Sequence, residues 1–304
     1  MDTQFNRTAI YISLGISIAM VFAVIFGAKY VFTSAAQQPV ALPPTPSEAA
    51  ESPECAAVVD ALPDKLMGYP RVDLVEPAPA GAAAWAKSSE DKITLRCGVD
   101  LPQQFTGYSH TVESDGESWL QVLDATPGSN LTTWYSTKHT PAIAVTTASE
   151  EAQDDAPEGL EAAFKQLEKK AQKANPAPLS QLKAGPDSMC PALEEALPET
   201  LAEGYTRRAD VGDKNTWVYS APGQEEIVVR CGVASPENYR AGVQLQQVND
   251  VPWFEDTTLA EGTTAGTWFA LGRAEDLALS APQDAANSAL VRLSDALVAA
   301  TPSQ

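Results

Sequence analysis

Hydrophobic and polar positions follow three successive patterns along the chain. From Ala9 to Ala28 no position is charged. As a helix, twenty such residues span about 30 Å, the hydrocarbon thickness of a bilayer. Lys29 and Tyr30 follow where an interfacial anchor sits. The pattern predicts a transmembrane helix within residues 1–32. A cleaved leader competes, since Ser34-Ala35-Ala36 offers small residues for a cleavage site. The apolar run is longer than the roughly 7–15 residues of a leader's core, so an uncleaved anchor is expected. Residues 33–53 are rich in Pro, Ala and Ser and read as an extended tether that holds the next segment off the membrane.

Beyond residue 53 the apolar positions alternate. Runs of β type are expected at 71–75, 92–99, 118–123, 131–135 and 142–146, and again at 226–233, 241–245, 267–271 and 277–279. Short helices open at Cys55–Leu62 and Cys190–Leu197, each limited by the following Pro. Helical spacing returns at Leu160, Phe164 and Leu167, and at Leu290, Leu293 and Leu297. Helix, antiparallel strands, helix is an α+β arrangement, a sheet with helices on one face.

The grammar occurs twice. Leu95-Arg96-Cys97-Gly98-Val99 returns as Val229-Arg230-Cys231-Gly232-Val233. Trp119 and Trp134 lie 22 and 37 residues past Cys97, as Trp253 and Trp268 do past Cys231. The chain therefore divides into an anchor (1–32), a linker (33–53), a first repeat (54–173), a joint (174–185) and a second repeat (186–300). A duplication at this scale is a tandem domain pair rather than a solenoid.

The duplication also pairs the cysteines. Only Cys55–Cys97 with Cys190–Cys231 lets each repeat close on itself. A redox-active pair is the alternative, but the spacing is not Cys-x-x-Cys. Zinc has no support, because His110 and His139 are matched by Gln244 and Arg273. Structural disulfides imply an oxidising compartment, so everything after residue 32 is expected outside the cytoplasm and the amino terminus within it. The net charge of −20 lacks the clustered Lys and Arg of a nucleic-acid binder.

Several residues carry a family resemblance. They are Cys55, Leu62-Pro63, Ala84-Trp85, Leu95 to Val99 and Pro102, answered by Cys190, Leu197-Pro198, Trp217, Val229 to Val233 and Pro236. The set resembles the actinobacterial exported family catalogued as domain of unknown function 3515. It departs from that pattern in having two copies, and in Thr216 before the second copy's Trp217. The resemblance implies an envelope protein with a membrane anchor and no assigned activity.

Candidate ligand-facing residues are few. Arg96 and Arg230 stand beside inward cysteines, so alternation turns them to the other face, where each could clamp a carboxylate or phosphate. A salt bridge with a nearby acid is the plainer role. Trp119 and Trp253, with the other tryptophans, could line a groove, although core packing is commoner for such residues. No catalytic motif, cofactor loop or metal cluster is present in the sequence. The expectation is a non-catalytic, single-pass envelope protein presenting two domains to a protein or cell-wall ligand. An accessory subunit contacting a membrane complex through Gly15, Ser17, Gly27 and Ala28 is one alternative. An envelope hydrolase with an unfamiliar site is the other. The shared residues should be buried, and any binding surface should lie in the differing ones near the joint. Those include His110, His139, Arg207-Arg208 and the acidic stretch Glu150 to Asp155.

Overall fold

A computed structural model describes residues 7–36, 39–44, 47–148, 154–259 and 263–301. Helix α1 (Arg7–Ala36) contains the apolar stretch Ile10–Val31, none of it buried against the rest of the chain. Its two central serines satisfy themselves: Ser13 Oγ donates to Ile10 O and Ser17 Oγ to Ser13 O, both at 2.9 Å. That bonding suits a segment with no water to turn to.

The first repeat contains α2 (Pro53–Asp60), β1 (Lys65–Leu66), β2 (Tyr69–Val72), β3 (Ala82–Ala86), β4 (Lys92–Val99), β5 (Thr111–Ser114), β6 (Glu117–Leu123), β7 (Thr132–Ser136), β8 (Ala142–Thr147) and one helical turn, α3 (Glu161–Phe164). The second contains α4 (Cys190–Ala196), β9 (Thr200–Ala202), β10 (Tyr205–Arg208), β11 (Thr216–Ser220), β12 (Ile227–Val233), β13 (Gln246–Val248), β14 (Val251–Glu255), β15 (Ala265–Ala270), β16 (Asp276–Pro282) and α5 (Gln283–Ala300). Each repeat is one eight-stranded antiparallel sheet, ordered β1-β2-β3-β4-β8-β7-β6-β5 and β13-β14-β15-β16-β12-β11-β10-β9. Read from the opposite edge the two orders are the same. Two four-strand meanders meet along β4–β8 and along β12–β16.

The helices lie on the inner face of each sheet, over cores that contain both disulfides, Cys55–Cys97 and Cys190–Cys231. All six tryptophans are buried there or beside it. The outer faces are covered as well. Val40 and Leu42 pack on Ala84 and Ala86, and Leu179, Leu182 and Tyr108 pack on Val218, Val228 and Phe269. The residues around Val40, expected to be a bare tether, are therefore part of the first domain. Val40 N–H donates to Asp73 O at 2.9 Å and Val40 O accepts from Val75 N at 3.0 Å.

Three further expectations differ from the structure. The run 241–245 is an exposed loop, turned by Gly242 at φ +95°. The predicted closing helix of the first repeat ends after one turn, although Lys165-Gln166-Leu167-Glu168-Lys169-Lys170 are good helix formers. There the backbone bonds elsewhere: Thr140 N–H donates to Glu168 O at 3.0 Å and Gln172 N–H to Thr137 O at 2.8 Å. Tertiary hydrogen bonds outweigh propensity. Finally, register pairs Trp85 with Ile93 and Tyr219 with Ile227, so the twin of Trp85 is Tyr219 rather than Trp217. The two do the same work. Trp85 Nε1 donates to Pro63 O at 3.0 Å, and Tyr219 Oη to Pro198 O at 2.9 Å. The Leu-Pro pair in each copy thus supplies the carbonyl that fixes the strand's aromatic ring.

Candidate functional site

The Arg-Cys-Gly-Val segment is built from local needs. Each strand carries a β-bulge at its Gly, Cys97/Val99 in β4 and Cys231/Val233 in β12. Gly98 and Gly232 take φ of +82° and +71°, a region that favours glycine. Added bulk would also collide: a Cβ on Gly98 would lie 2.5 Å from Ala49 C and Ala50 N, and one on Gly232 2.8 Å from Asp187 Cβ. The preceding linker crosses the strand at this point in both copies.

Arg96 and Arg230 hold that linker. Arg96 Nη2 donates to Pro43 O at 2.6 Å, and Arg230 Nη1 to Leu179 O at 2.6 Å and Ser180 O at 3.2 Å. Their sequence-expected roles, an anion clamp or a salt bridge, are thus joined by a third, a clamp on linker carbonyls. Arg230 meets two such carbonyls and Arg96 one. Trp119 and Trp253 are fully enclosed in the inner cores and line no open groove. Trp253 Nε1 donates to Ser294 Oγ of α5 at 2.9 Å, and Trp119 stacks edge-on with Phe164, centroids 5.6 Å apart.

Among the hollows on the outer faces, two lie over equivalent floors. The first, about 300 Å³, is lined by Arg96, Tyr135, Ala144, Thr133, Thr146 and Asp100, among others. Across the strands Arg96 pairs with Ala144, and Ala144 with Tyr135, so a small residue separates a guanidinium from a phenol. Burial lowers the Arg96 pKa and raises that of Tyr135. The second hollow, about 520 Å³, lies where the joint crosses the other sheet. Thr267 and Ser280 form its floor, Asn175 to Leu179 its roof, and Gln103, Gln181 and Glu225 part of its wall. Thr267 and Ser280 are the counterparts of Thr133 and Thr146.

The joint is packed rather than loose. Tyr108, from the loop after β4, donates Oη to Asp213 Oδ2 at 2.9 Å, and its carbonyl accepts from Arg208 Nη1 at 2.9 Å. His110 N–H donates to Glu226 Oε1 at 2.8 Å, and Leu123 N–H to Gly223 O at 2.9 Å. Burial, with Glu225 adding to it, pushes Glu226 up to about 7, and burial with the Asp213 bond pushes Tyr108 up to about 12. Arg208, Glu226 and Tyr108 were not singled out as a group by the sequence, because they meet only across the joint.

Other expected differences fall elsewhere. Arg207 has a twin after all, Arg71. Both sit in the second strand of their sheet and donate to carbonyls at the end of the opening helix, Arg71 to Val59 O and Leu62 O, Arg207 to Glu194 O. His139 bonds to the buried Glu117 carboxylate, which also accepts from the N–H groups of Ser118, Thr137 and Lys138. That network ties one hairpin together. Its twin position, Arg273, ties Asp250 O to Thr301 O. Of the acidic stretch, residues 150–153 lie outside the described residues. Cys190, Cys231 and Glu275 lie within 4.8 Å of one another. The sulfurs are bonded to each other, and a metal requires thiolates. Glu275 accepts from Ser188 Oγ at 2.6 Å and Met189 N–H at 3.0 Å.

The profile of a family described as protein of unknown function (DUF3515) matches residues 14–172 and again residues 162–304. The chain belongs to that family. It carries the DUF3515 unit twice, and the two matches coincide with the two sheets. No curated protein and no solved structure matches it. For this DUF3515 protein, then, the chemistry of its own surfaces is the guide to its role.

Proposed function

We propose that this protein is a non-catalytic, single-pass membrane protein whose two DUF3515 domains form one extracytoplasmic recognition body. The observation that carries this reading is the joint. Two domains with a shared scaffold are locked together through residues they do not share, and a cavity of about 520 Å³ opens there. Scaffold duplicated and surface diverged is the pattern of a binding protein. Its wall mixes amide and hydroxyl side chains, such as Gln103, Gln181, Thr267 and Ser280, with apolar ones such as Leu179 and Leu182, suited to an envelope ligand or a protein loop that offers both hydrogen-bonding and apolar groups. Helix α1 supports the anchor, and the disulfides support an oxidising location for the domains, from which an amino terminus in the cytoplasm follows.

A photo-crosslinker at Gln103 or Gln181, in the full chain in its own membrane, tests the reading. A discrete covalent adduct is expected, absent with the crosslinker at exposed Glu195. Equal labelling at all three positions would refute a site at the joint. A thiol-directed, membrane-impermeant reagent tests orientation: it should label a cysteine introduced at exposed Lys169 and spare one introduced at Asp2.

A further inference from the structure

We propose that the hollow on the first domain's outer face binds a small zwitterionic amino-carboxylate, its carboxylate held between Arg96 and Tyr135 and its ammonium directed to Asp100. This goes beyond the joint, which is a separate cavity.

The argument begins with the twin. In the second domain the equivalent cross-strand row is Arg230, Ala278, Phe269. Phe269 has no donor, Arg230 is bonded to two carbonyls, and Leu179, Leu182 and Tyr108 pack on this face, leaving beside Phe269 a smaller hollow of about 220 Å³ that Arg230 does not line. In the first domain the phenol replaces the phenyl, the arginine meets one carbonyl, and about 300 Å³ remains open. A guanidinium has five N–H donors, so most of Arg96's capacity is available in the described structure. The neighbouring row gains one hydroxyl in the first domain. Val228, Ser280 and Thr267 in the second domain correspond to Thr94, Thr146 and Thr133 in the first. Thr133 and Thr146 already share a hydrogen bond of 2.9 Å, leaving further hydroxyl capacity toward the hollow. The difference that matters is the phenol: only the first domain sets a second donor, Tyr135, across a small residue from its arginine.

The donors set the ligand's charge. Arg96 offers a planar fork that matches a carboxylate, and Tyr135 a second donor from across Ala144. Asp100, exposed at the rim, is an acceptor for a cation. A chain with net charge −20 repels a free anion at long range but not a neutral zwitterion. An amino acid, with its opposite charges a few ångströms apart, fits both the donors and the volume.

Titration calorimetry on the full chain in detergent tests this, with alanine as probe and acetate and ethylamine as its two halves. Alanine should bind saturably at one site per chain, and each half at least tenfold more weakly. Arg96→Lys, which loses the fork, should weaken alanine at least tenfold. Tyr135→Phe, which installs the second domain's own residue, should weaken it several-fold with an unchanged melting transition. Arg230→Lys should leave binding as it was. Absence of saturable alanine binding overturns the proposal, as does unchanged affinity in both Arg96→Lys and Tyr135→Phe. Acetate binding as tightly as alanine overturns the zwitterion assignment. Crosslinking at Gln103 reports on the joint alone, so either site can fail without the other.

Discussion

Replacing Gly98 by Ala probes the crossing of linker and strand that both copies share. Two costs are expected, and a second glycine separates them. Gly116, in the β5–β6 hairpin, takes φ +79° with nothing within 4 Å of an added Cβ. Gly116→Ala therefore carries the left-handed strain alone, about 1–2 kcal/mol. Gly98, at φ +82°, carries the same strain and places its Cβ 2.5 Å from Ala49 C and Ala50 N. Backbone atoms cannot be approached so closely, so the turn Glu48–Glu51 has to lift. Lifting it removes the Ser47 Oγ bond to Gly98 O and disturbs Ser52, whose Oγ accepts from Cys55 N–H at 3.2 Å at the start of α2. Two hydrogen bonds at about 1 kcal/mol each, with some lost packing, bring the total to about 3–5 kcal/mol. At roughly 4 °C per kcal/mol for a domain of this size, calorimetry should show the first transition fall by about 12–20 °C in Gly98→Ala and about 4–8 °C in Gly116→Ala. Gly232→Ala, whose nearest neighbour is Asp187 Cβ at 2.8 Å, should fall between them. Equal shifts for Gly98→Ala and Gly116→Ala would refute the claim that the linker presses on the strand.

Other predictions follow the same logic of twins and pairs. Converting Cys55 and Cys97 together to Ser should lower the first domain's stability by about 4 kcal/mol, read from denaturant midpoints, and the Cys190 and Cys231 pair should do the same for the second. Trp85→Phe and Tyr219→Phe each strand a proline carbonyl and should each cost about 1–3 kcal/mol; a negligible loss in either would break the equivalence drawn between them. Glu226 is raised in the folded state to about 7, so the fold holds its proton more tightly than the unfolded chain does. Its contribution is complete below pH 4.5 and is lost as pH rises toward 7. Urea midpoints of Glu226→Gln should accordingly decline less over that window than those of the parent, and parallel profiles would contradict the assignment.

The sequence reveals the inner half of each domain better than the outer half. Disulfide pairing, β4 and β12, and α5 follow from matched cysteines and clean periodicity, all properties of a few adjacent residues. β3 was missed because Ala82-Ala83-Ala84-Trp85-Ala86 has little β preference and is a strand through its neighbours. The order around Val40 was not legible because a Pro-rich stretch looks the same whether free or clamped; in each copy the arginine that holds the linker lies about fifty residues away. Arg71 and Arg207 escaped pairing because the offset between copies changes from 136 residues there to 134 at the central strands. Tyr135 was not singled out, although its change to Phe269 between matched strands was the available signal.

The ordered stretch at Val40 also sets a length. Helix α1 ends at Ala36, and Val40 is already bonded to the first sheet. Four residues reach at most about 14 Å, and the helical turns between Val31 and Ala36 add about 8 Å. Anchored as proposed, the first domain works on a leash on the order of 20 Å, shorter than the roughly 35 Å expected across a compact domain of its size. It cannot sweep the space beyond the bilayer for its ligand. Whatever the first domain captures is met within about a leash and a domain's width of the bilayer, and the second domain, fixed to the first, extends that reach only by its own width.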